Sequence, residues 1–198
     1  MNKKGIMNLP NALSLLRCVL VPFFVAALYY MQAMPIAGRV VPAIIFAVTS
    51  LTDMLDGKIA RKYGLVTNFG KFIDPLADKF MVFSALITMC VVLTDITPIL
   101  LWVTVIIVFR ELGVTSLRLV VSGQSGVVVA ASFLGKMKTV SQIFGILAMI
   151  LEPLLLPSLV SQGVYLLTYI FSAVMIVTTL WSGADYLRAY FPVVRESD

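Results

Sequence analysis

The chain has 198 residues, is 60% hydrophobic and only 13% charged, with a mean hydropathy of +1.01 and a formal net charge of +5. A soluble globular domain is nearer half apolar, so this composition excludes one and describes a single polytopic membrane domain over residues 1–198. The chain has no histidine and only two cysteines, Cys18 and Cys90, both inside apolar runs. Histidine acid–base catalysis and histidine metal ligation are therefore excluded, and the cysteines read as buried packing residues.

Residues 1–9 are short and carry Lys3 and Lys4, suited to the membrane surface. No cleavage pattern of a signal peptide follows, so the first apolar run is expected to stay in the mature chain. Pro10 and Asn11 suit the opening turn of a helix that continues to about Met34, long enough to cross a bilayer. Asn11, Ser14 and Arg17 recur at intervals of three, near one side of that helix. They read either as a cap with a snorkelling arginine or as a polar wall turned toward a site. Five further apolar runs, at about 40–60, 73–93, 97–120, 137–155 and 162–187, predict an all-α bundle of six transmembrane helices. Pro153 and Pro157 mark the link before the last span, and Trp102 and Trp181 read as packing or interface residues. Fourteen of the fifteen Lys and Arg residues fall on one side of this pattern; only Arg39 falls on the other. The positive-inside rule then predicts that both termini and the cleft between the helices face the cytoplasm, where anionic lipids and substrates meet the basic face.

Residues 53–78, DMLDGKIARKYGLVTNFGKFIDPLAD, hold four aspartates in two pairs. Asp53 and Asp56 are spaced i, i+3, and Asp74 and Asp78 i, i+4, so each pair shares a helix face. A polar link from Lys62 to Gly70 can fold the second helix beside the first and bring the four carboxylates together. Clustered carboxylates near a low-dielectric region repel one another unless hard divalent cations offset the charge, and phosphates share an affinity for those cations. Gly57 and Ala60 leave the acidic face bare enough for a flat group to lie on the backbone, and Arg61 is placed to pair with a phosphate. The stretch reads as a metal site for a phosphorylated substrate.

A second polar group flanks the link after the fourth span: Arg110, Glu111 and Arg118 before it, Lys136 and Lys138 after it. Ordinary positive-inside charge accounts for most such residues. An arginine a turn or more inside an apolar run is costly without a partner, which singles out Arg110, with Glu111 beside it as a holder.

The pattern Asp53-x-x-Asp56-Gly57-x-x-Ala60-Arg61, then Gly70-x-x-x-Asp74-x-x-x-Asp78, resembles the defining motif of the CDP-alcohol phosphatidyltransferases, with every fixed position present. The Pro10-Asn11 opening with Ser14 and Arg17 is similar to openings in that family. The resemblance implies two divalent cations, Mg²⁺ or Mn²⁺, held by Asp53, Asp56, Asp74 and Asp78, with Asp78 also the base on the acceptor hydroxyl. It implies donor contacts from Asn11, Gly57, Ala60, Arg61 and Thr67 to CDP-diacylglycerol. The Arg110–Arg118 segment and Gly135-Lys136-Met137-Lys138-Thr139 are similar to the family's bacterial phosphatidylglycerophosphate synthases. That implies sn-glycerol 3-phosphate as acceptor, bound by Arg110, Arg118, Lys136 and Lys138, in a bacterial cell membrane. It also implies a homodimer among membrane lipids, with no nucleic-acid partner. Two other readings stay open from the residues: a transferase using serine, inositol phosphate or phosphatidylglycerol, and a divalent-cation transporter, for which intramembrane carboxylates are also expected.

Overall fold

The computed structural model describes the backbone of residues 9–34, 36–62, 68–125 and 133–195, and the side chains there except at 9–10, 54–62, 68, 71–72, 74, 78, 119–120, 122–125 and 191–195. Among these residues every regular element is a helix: α1 Leu9–Tyr29, α2 Ala37–Lys62, α3 Asn68–Val92, a 3₁₀ turn Thr94–Ile96, α4 Thr97–Ser125, α5 Phe133–Leu155, a short α6 Pro157–Val160, and α7 Leu166–Arg195. Five segments are long and apolar enough to cross a membrane: Asn11–Tyr29, Pro75–Val92, Thr94–Arg118, Phe133–Leu155 and Leu166–Tyr190. The chain is a multi-pass membrane protein of all-α class. Its α2 has 26 residues, but Arg39, Asp53, Asp56, Lys58, Arg61 and Lys62 make it more polar than the others.

Several boundaries differ from the sequence pattern, most by extension of a helix, while α1 stops at Tyr29, short of the expected Met34. Asn68, Phe69 and Gly70, expected in the polar link, are already helical in α3. The fourth helix continues to Ser125, beyond the expected end near 120, and α5 starts at Phe133, so Lys136 and Lys138 lie within its first two turns. The last helix starts at Leu166 and runs to Arg195, because residues 161–165 form the turn after α6. In that turn Gly163 has φ 76°, a left-handed conformation that favours glycine, while Val164 N donates to Leu159 O at 2.9 Å. Both cysteines are free and half-buried rather than fully buried. Trp102 and Trp181 are exposed, which leaves the interface reading of these residues and removes the packing one.

The helices associate as two groups. In one, α1 packs along α3 and α2; in the other, α7 packs along α5 and α4; the pairs α3–α4 and α2–α5 join them. The interior is apolar: Phe24, Leu28 and Met31 of α1 meet Phe46 of α2, Leu86 and Met89 of α3, Leu100 and Ile107 of α4, and Ile146, Met149 and Ile150 of α5. Phe24 and Phe46 are ring neighbours at 5.6 Å. Outward faces are equally apolar, with Phe23, Phe109, Leu180 and Val177 exposed, as a lipid-facing surface requires. Some hydroxyls within the helices are satisfied locally: Thr49 donates to Ile45 O at 2.8 Å and Thr104 to Leu100 O at 2.7 Å. At the start of α2, a Cβ on Gly38 would lie 2.2 Å from Met31 O, so only glycine permits that approach.

The bundle has two polar ends. One holds Arg39, Asp95, Glu152 and Tyr165. The other holds Asn11, Ser14, Arg17, Asp53, Lys79, Glu111 and Lys138, and it encloses a pocket lined by charged side chains.

Candidate active site

The pocket opens where α1 to α5 converge. Arg17 of α1, Thr49, Ser50 and Asp53 of α2, and Lys79 of α3 line it on one side. Glu111 of α4 and Lys138, Thr139 and Gln142 of α5 line the other, above a floor of Met81, Val82, Phe83 and Ile143. Helix periodicity explains the layering. Asp53 follows Thr49 by one turn in α2, and Gln142 follows Lys138 by one turn in α5, so charge occupies the outer layer and neutral polar groups the inner one.

Arg17 is the anchor of the α1 wall. Eight residues inside its helix and 3% exposed, it donates from Nη1 to Asp53 Oδ1 at 2.5 Å. Asn11 and Ser14, on the same side of α1, are also buried, at 1% and 0%. The snorkelling reading of Arg17 therefore fails, since an arginine this deep pairs with a carboxylate instead of reaching for water; of the three residues it is Arg17 that lines the pocket. Asp53 itself keeps 34% of its side chain accessible and lines the pocket.

Across the pocket, Glu111 is the pivot of a second ion cluster. Its Oε1 accepts from Lys138 Nζ at 2.5 Å and from Arg110 Nη1 at 2.7 Å. The expectation that Glu111 holds a neighbouring cation is met twice over. Burying a lone carboxylate or ammonium in this setting is costly, and each partner offsets the other's desolvation.

The four cations read as one cluster divide into three environments. Lys138 is buried and lines the pocket. Lys136 is exposed on the first turn of α5. Arg110 and Arg118 face α7: Arg110 Nη2 donates to Ser182 Oγ at 2.5 Å, and Arg118 Nη2 donates to the Tyr186 hydroxyl. Their guanidinium carbons lie 5.6 and 4.9 Å from the Tyr186 ring centre, so both make cation–π contacts with one tyrosine. Gly183 makes room for Arg110, since a Cβ there would sit 3.2 Å from its Cγ.

The other expected site residues divide by what is described. Asp56, Gly57, Ala60 and Arg61 lie on α2, and Asp74 and Asp78 on α3, so both aspartate pairs are helical as their spacing predicts. The side chains of all six lie outside the described residues, as does Thr67 altogether. Among the described residues no group of three carboxylates or thiols is gathered. Sequence reasoning passed over Glu111 as a pocket residue, and over Lys79, Thr139 and Gln142. The signals were present: Lys79 adjoins Asp78, and Thr139 and Gln142 follow Lys138 at helical spacing.

A sequence profile for CDP-alcohol phosphatidyltransferases matches residues 7–181, which takes in the α1 wall, both aspartate pairs and the Glu111–Lys138 cluster. The chain belongs to the CDP-alcohol phosphatidyltransferase family. Like the family, it is a phosphatidyltransferase, and its pocket is the candidate active site. It is similar to a "Probable phosphatidylglycerophosphate synthase" of Mycobacterium tuberculosis, at 43% identity over 92% of this chain and 81% of that protein. It is 44% identical to a "CDP-diacylglycerol--glycerol-3-phosphate 3-phosphatidyltransferase" of Bacillus subtilis, over 74% of this chain and 78% of that one. A Yersinia enterocolitica protein of the same name is 34% identical over 92% of this chain and 94% of its own length. These similarities extend over most of each chain.

Proposed function

We propose that this phosphatidyltransferase joins the phosphatidyl group of CDP-diacylglycerol to sn-glycerol 3-phosphate, giving phosphatidylglycerophosphate and CMP. The observation that carries the reading is a single pocket in which Asp53, at the head of the aspartate motif, faces Lys138 of the basic segment. The names of the relatives that match most of this chain support the same acceptor.

Asp53, Asp56, Asp74 and Asp78 are the residues that would hold two divalent cations, Mg²⁺ or Mn²⁺. The donor set fits: hard carboxylate oxygens, no histidine in the chain, and a partly exposed Asp53 carboxylate held in place by Arg17. When bound, such ions neutralise a diphosphate and stabilise the departing CMP. The protein's own residues do the rest. Arg17 fixes Asp53. Gly57 and Ala60 leave space for cytidine, with Asn11, Arg61 and Thr67 as further donor contacts. Lys138 meets the acceptor phosphate inside the pocket, and Lys136, Arg110 and Arg118 extend the positive field around it. Asp78 takes the proton from the acceptor hydroxyl, whose oxygen attacks the phosphatidyl phosphorus as the bond to the CMP oxygen breaks.

In this reading α2 is the sixth span, since 26 residues at 1.5 Å each extend about 39 Å. Both termini and the pocket face the cytoplasm of a bacterial cell, and the acyl chains of the donor stay in the bilayer beside an open cleft. The protein works as a homodimer. Nothing favours cation transport: Arg17, Lys79 and Lys138 line the pocket and would repel a permeating cation.

The test is CMP release by purified protein in detergent with CDP-diacylglycerol, Mg²⁺ or Mn²⁺, and a panel of acceptors. Glycerol 3-phosphate supports turnover, while glycerol, serine, inositol phosphate and phosphatidylglycerol give almost none. Equal product from glycerol, or faster product from another acceptor, refutes the acceptor assignment and leaves the family reaction intact.

A further inference from the structure

Gln142 is 3% exposed, lines the pocket, and its Nε2 has no hydrogen-bond partner among the described residues. A buried amide donor without a partner is rare, because its hydration is lost with nothing in exchange. Two pocket threonines donate within their own helices. The Thr49 hydroxyl donates to Ile45 O and Phe46 O at 2.8 and 2.9 Å, and the Thr139 hydroxyl to Gly135 O at 3.2 Å. Lys138 Nζ is held by Glu111 at 2.5 Å. Gln142 thus offers a neutral donor one helical turn deeper than Lys138 on the same face of α5, next to the apolar floor of Met81, Val82 and Phe83.

We infer that Gln142 reads the acceptor's middle hydroxyl and so determines which phosphorylated alcohol the enzyme accepts. The inference rests on the proposed reaction. A glycerol 3-phosphate molecule has three polar ends to place. The phosphate, doubly charged, belongs with the cations of the outer layer, and the reacting C1 hydroxyl belongs with the carboxylates. The C2 hydroxyl remains, a neutral group that matches the neutral, water-poor inner layer. A phosphate pressed against Phe83 and Met81 would lose far more hydration than one amide returns. A hydroxyl accepts from Gln142 Nε2 at little cost. Gln142 is a specificity residue in this scheme and moves no proton.

The experiment compares glycerol 3-phosphate with 3-hydroxypropyl phosphate, which has the same chain and phosphate but no C2 hydroxyl. Wild type prefers glycerol 3-phosphate in kcat/KM by roughly 10-fold or more, because a site built to bond a hydroxyl rejects the analogue that lacks it. Gln142→Met, close to glutamine in shape and without the donor, loses that preference: its kcat/KM values for the two acceptors converge to within about twofold, and KM for CDP-diacylglycerol stays at the wild-type value. Gln142→Leu is the second variant should the first fail to fold. An unchanged preference in either folded variant overturns the inference while the proposed reaction stands. A wild type that forms product from both acceptors equally well also overturns it. A wild type inactive with every phosphorylated alcohol overturns the reaction and the inference together.

Discussion

Helix α5 carries a buried charge near each end, and the two are satisfied in opposite ways. At its start Lys138 meets Glu111, which also holds Arg110, so side-chain charges compensate one another beside an open pocket. Near its finish Glu152, 0% exposed, accepts from Leu167 N at 2.6 Å, Thr168 N at 3.0 Å and Thr168 Oγ1 at 2.6 Å, which caps the first turn of α7. A carboxylate held by backbone amides at a helix N-terminus has a fixed partner set and serves the fold. A carboxylate held by a lysine and an arginine can exchange partners when an anionic ligand arrives. The difference separates the end of the bundle that does chemistry from the end that holds the helices together.

The sharpest break in the comparison is in turnover. Asp53→Asn should lower CMP release by roughly 100-fold or more, since it removes charge from the motif that would hold the metal ions, while insertion and purification stay normal. Glu152→Gln should leave kcat within about twofold of wild type, as expected for a group remote from the reacting atoms. Equal activity in Asp53→Asn and wild type at saturating metal would remove Asp53 from the site.

Stability should separate the two glutamates next. Glu111→Gln removes the carboxylate charge that Lys138 and Arg110 share, a loss of about 3–5 kcal/mol. Glu152→Gln keeps one acceptor oxygen for the α7 amides and loses about 1–3 kcal/mol. Denaturation in detergent should rank them in that order, and activity should fall only in Glu111→Gln. The reverse ranking would mean that the cap, not the ion cluster, is the stronger tie.

The smallest effect concerns pH at the end remote from the pocket. The Tyr165 hydroxyl donates to Asp95 Oδ2 at 2.6 Å, and that bond, with burial and the Asp95 charge, pushes its pKa up to about 12. The ordinary value is near 10, so the folded protein favours the protonated phenol. Its contribution is complete below pH 10 and is lost as pH rises through about 12. Tyr165→Phe should therefore unfold at a slightly lower temperature than wild type at pH 8, with the gap closing above pH 11. A gap that widens with pH would contradict the assignment.

Much of this was legible in the sequence. The all-α class and the helical placement of both aspartate pairs follow from apolar run length and from i, i+3 and i+4 spacing, because lipid demands that each span satisfy its own backbone, whereas of the six expected spans five are long and apolar enough to cross a membrane. Helix ends were less legible: Asn68 to Gly70 and residues 121–125 read as polar links, yet they continue helices. Polarity marks where a chain leaves the lipid, which is not where its hydrogen-bonded turns stop. The aspartate motif was legible by spacing alone. The direction of each cation was not. Arg110 and Arg118 are eight apart and do share a side, but that side meets Tyr186 of α7, a residue 68 positions beyond Arg118. Gln142 was equally hidden, since a glutamine in an apolar run becomes notable only when its amide nitrogen proves to be buried without a partner.

The central claim is that the pocket among α1 to α5 is where the two substrates meet. Ser50 lines it from α2 and is half-buried, so Ser50→Cys, in a Cys18→Ala and Cys90→Ala background, reports on it directly. The measurement is the rate at which a small maleimide labels that cysteine in active protein. CDP-diacylglycerol with Mg²⁺ and glycerol 3-phosphate should slow labelling roughly 10-fold or more, and plain glycerol in place of glycerol 3-phosphate should protect less. An unchanged labelling rate while CMP is being released would contradict the account and put the reaction elsewhere on the molecule.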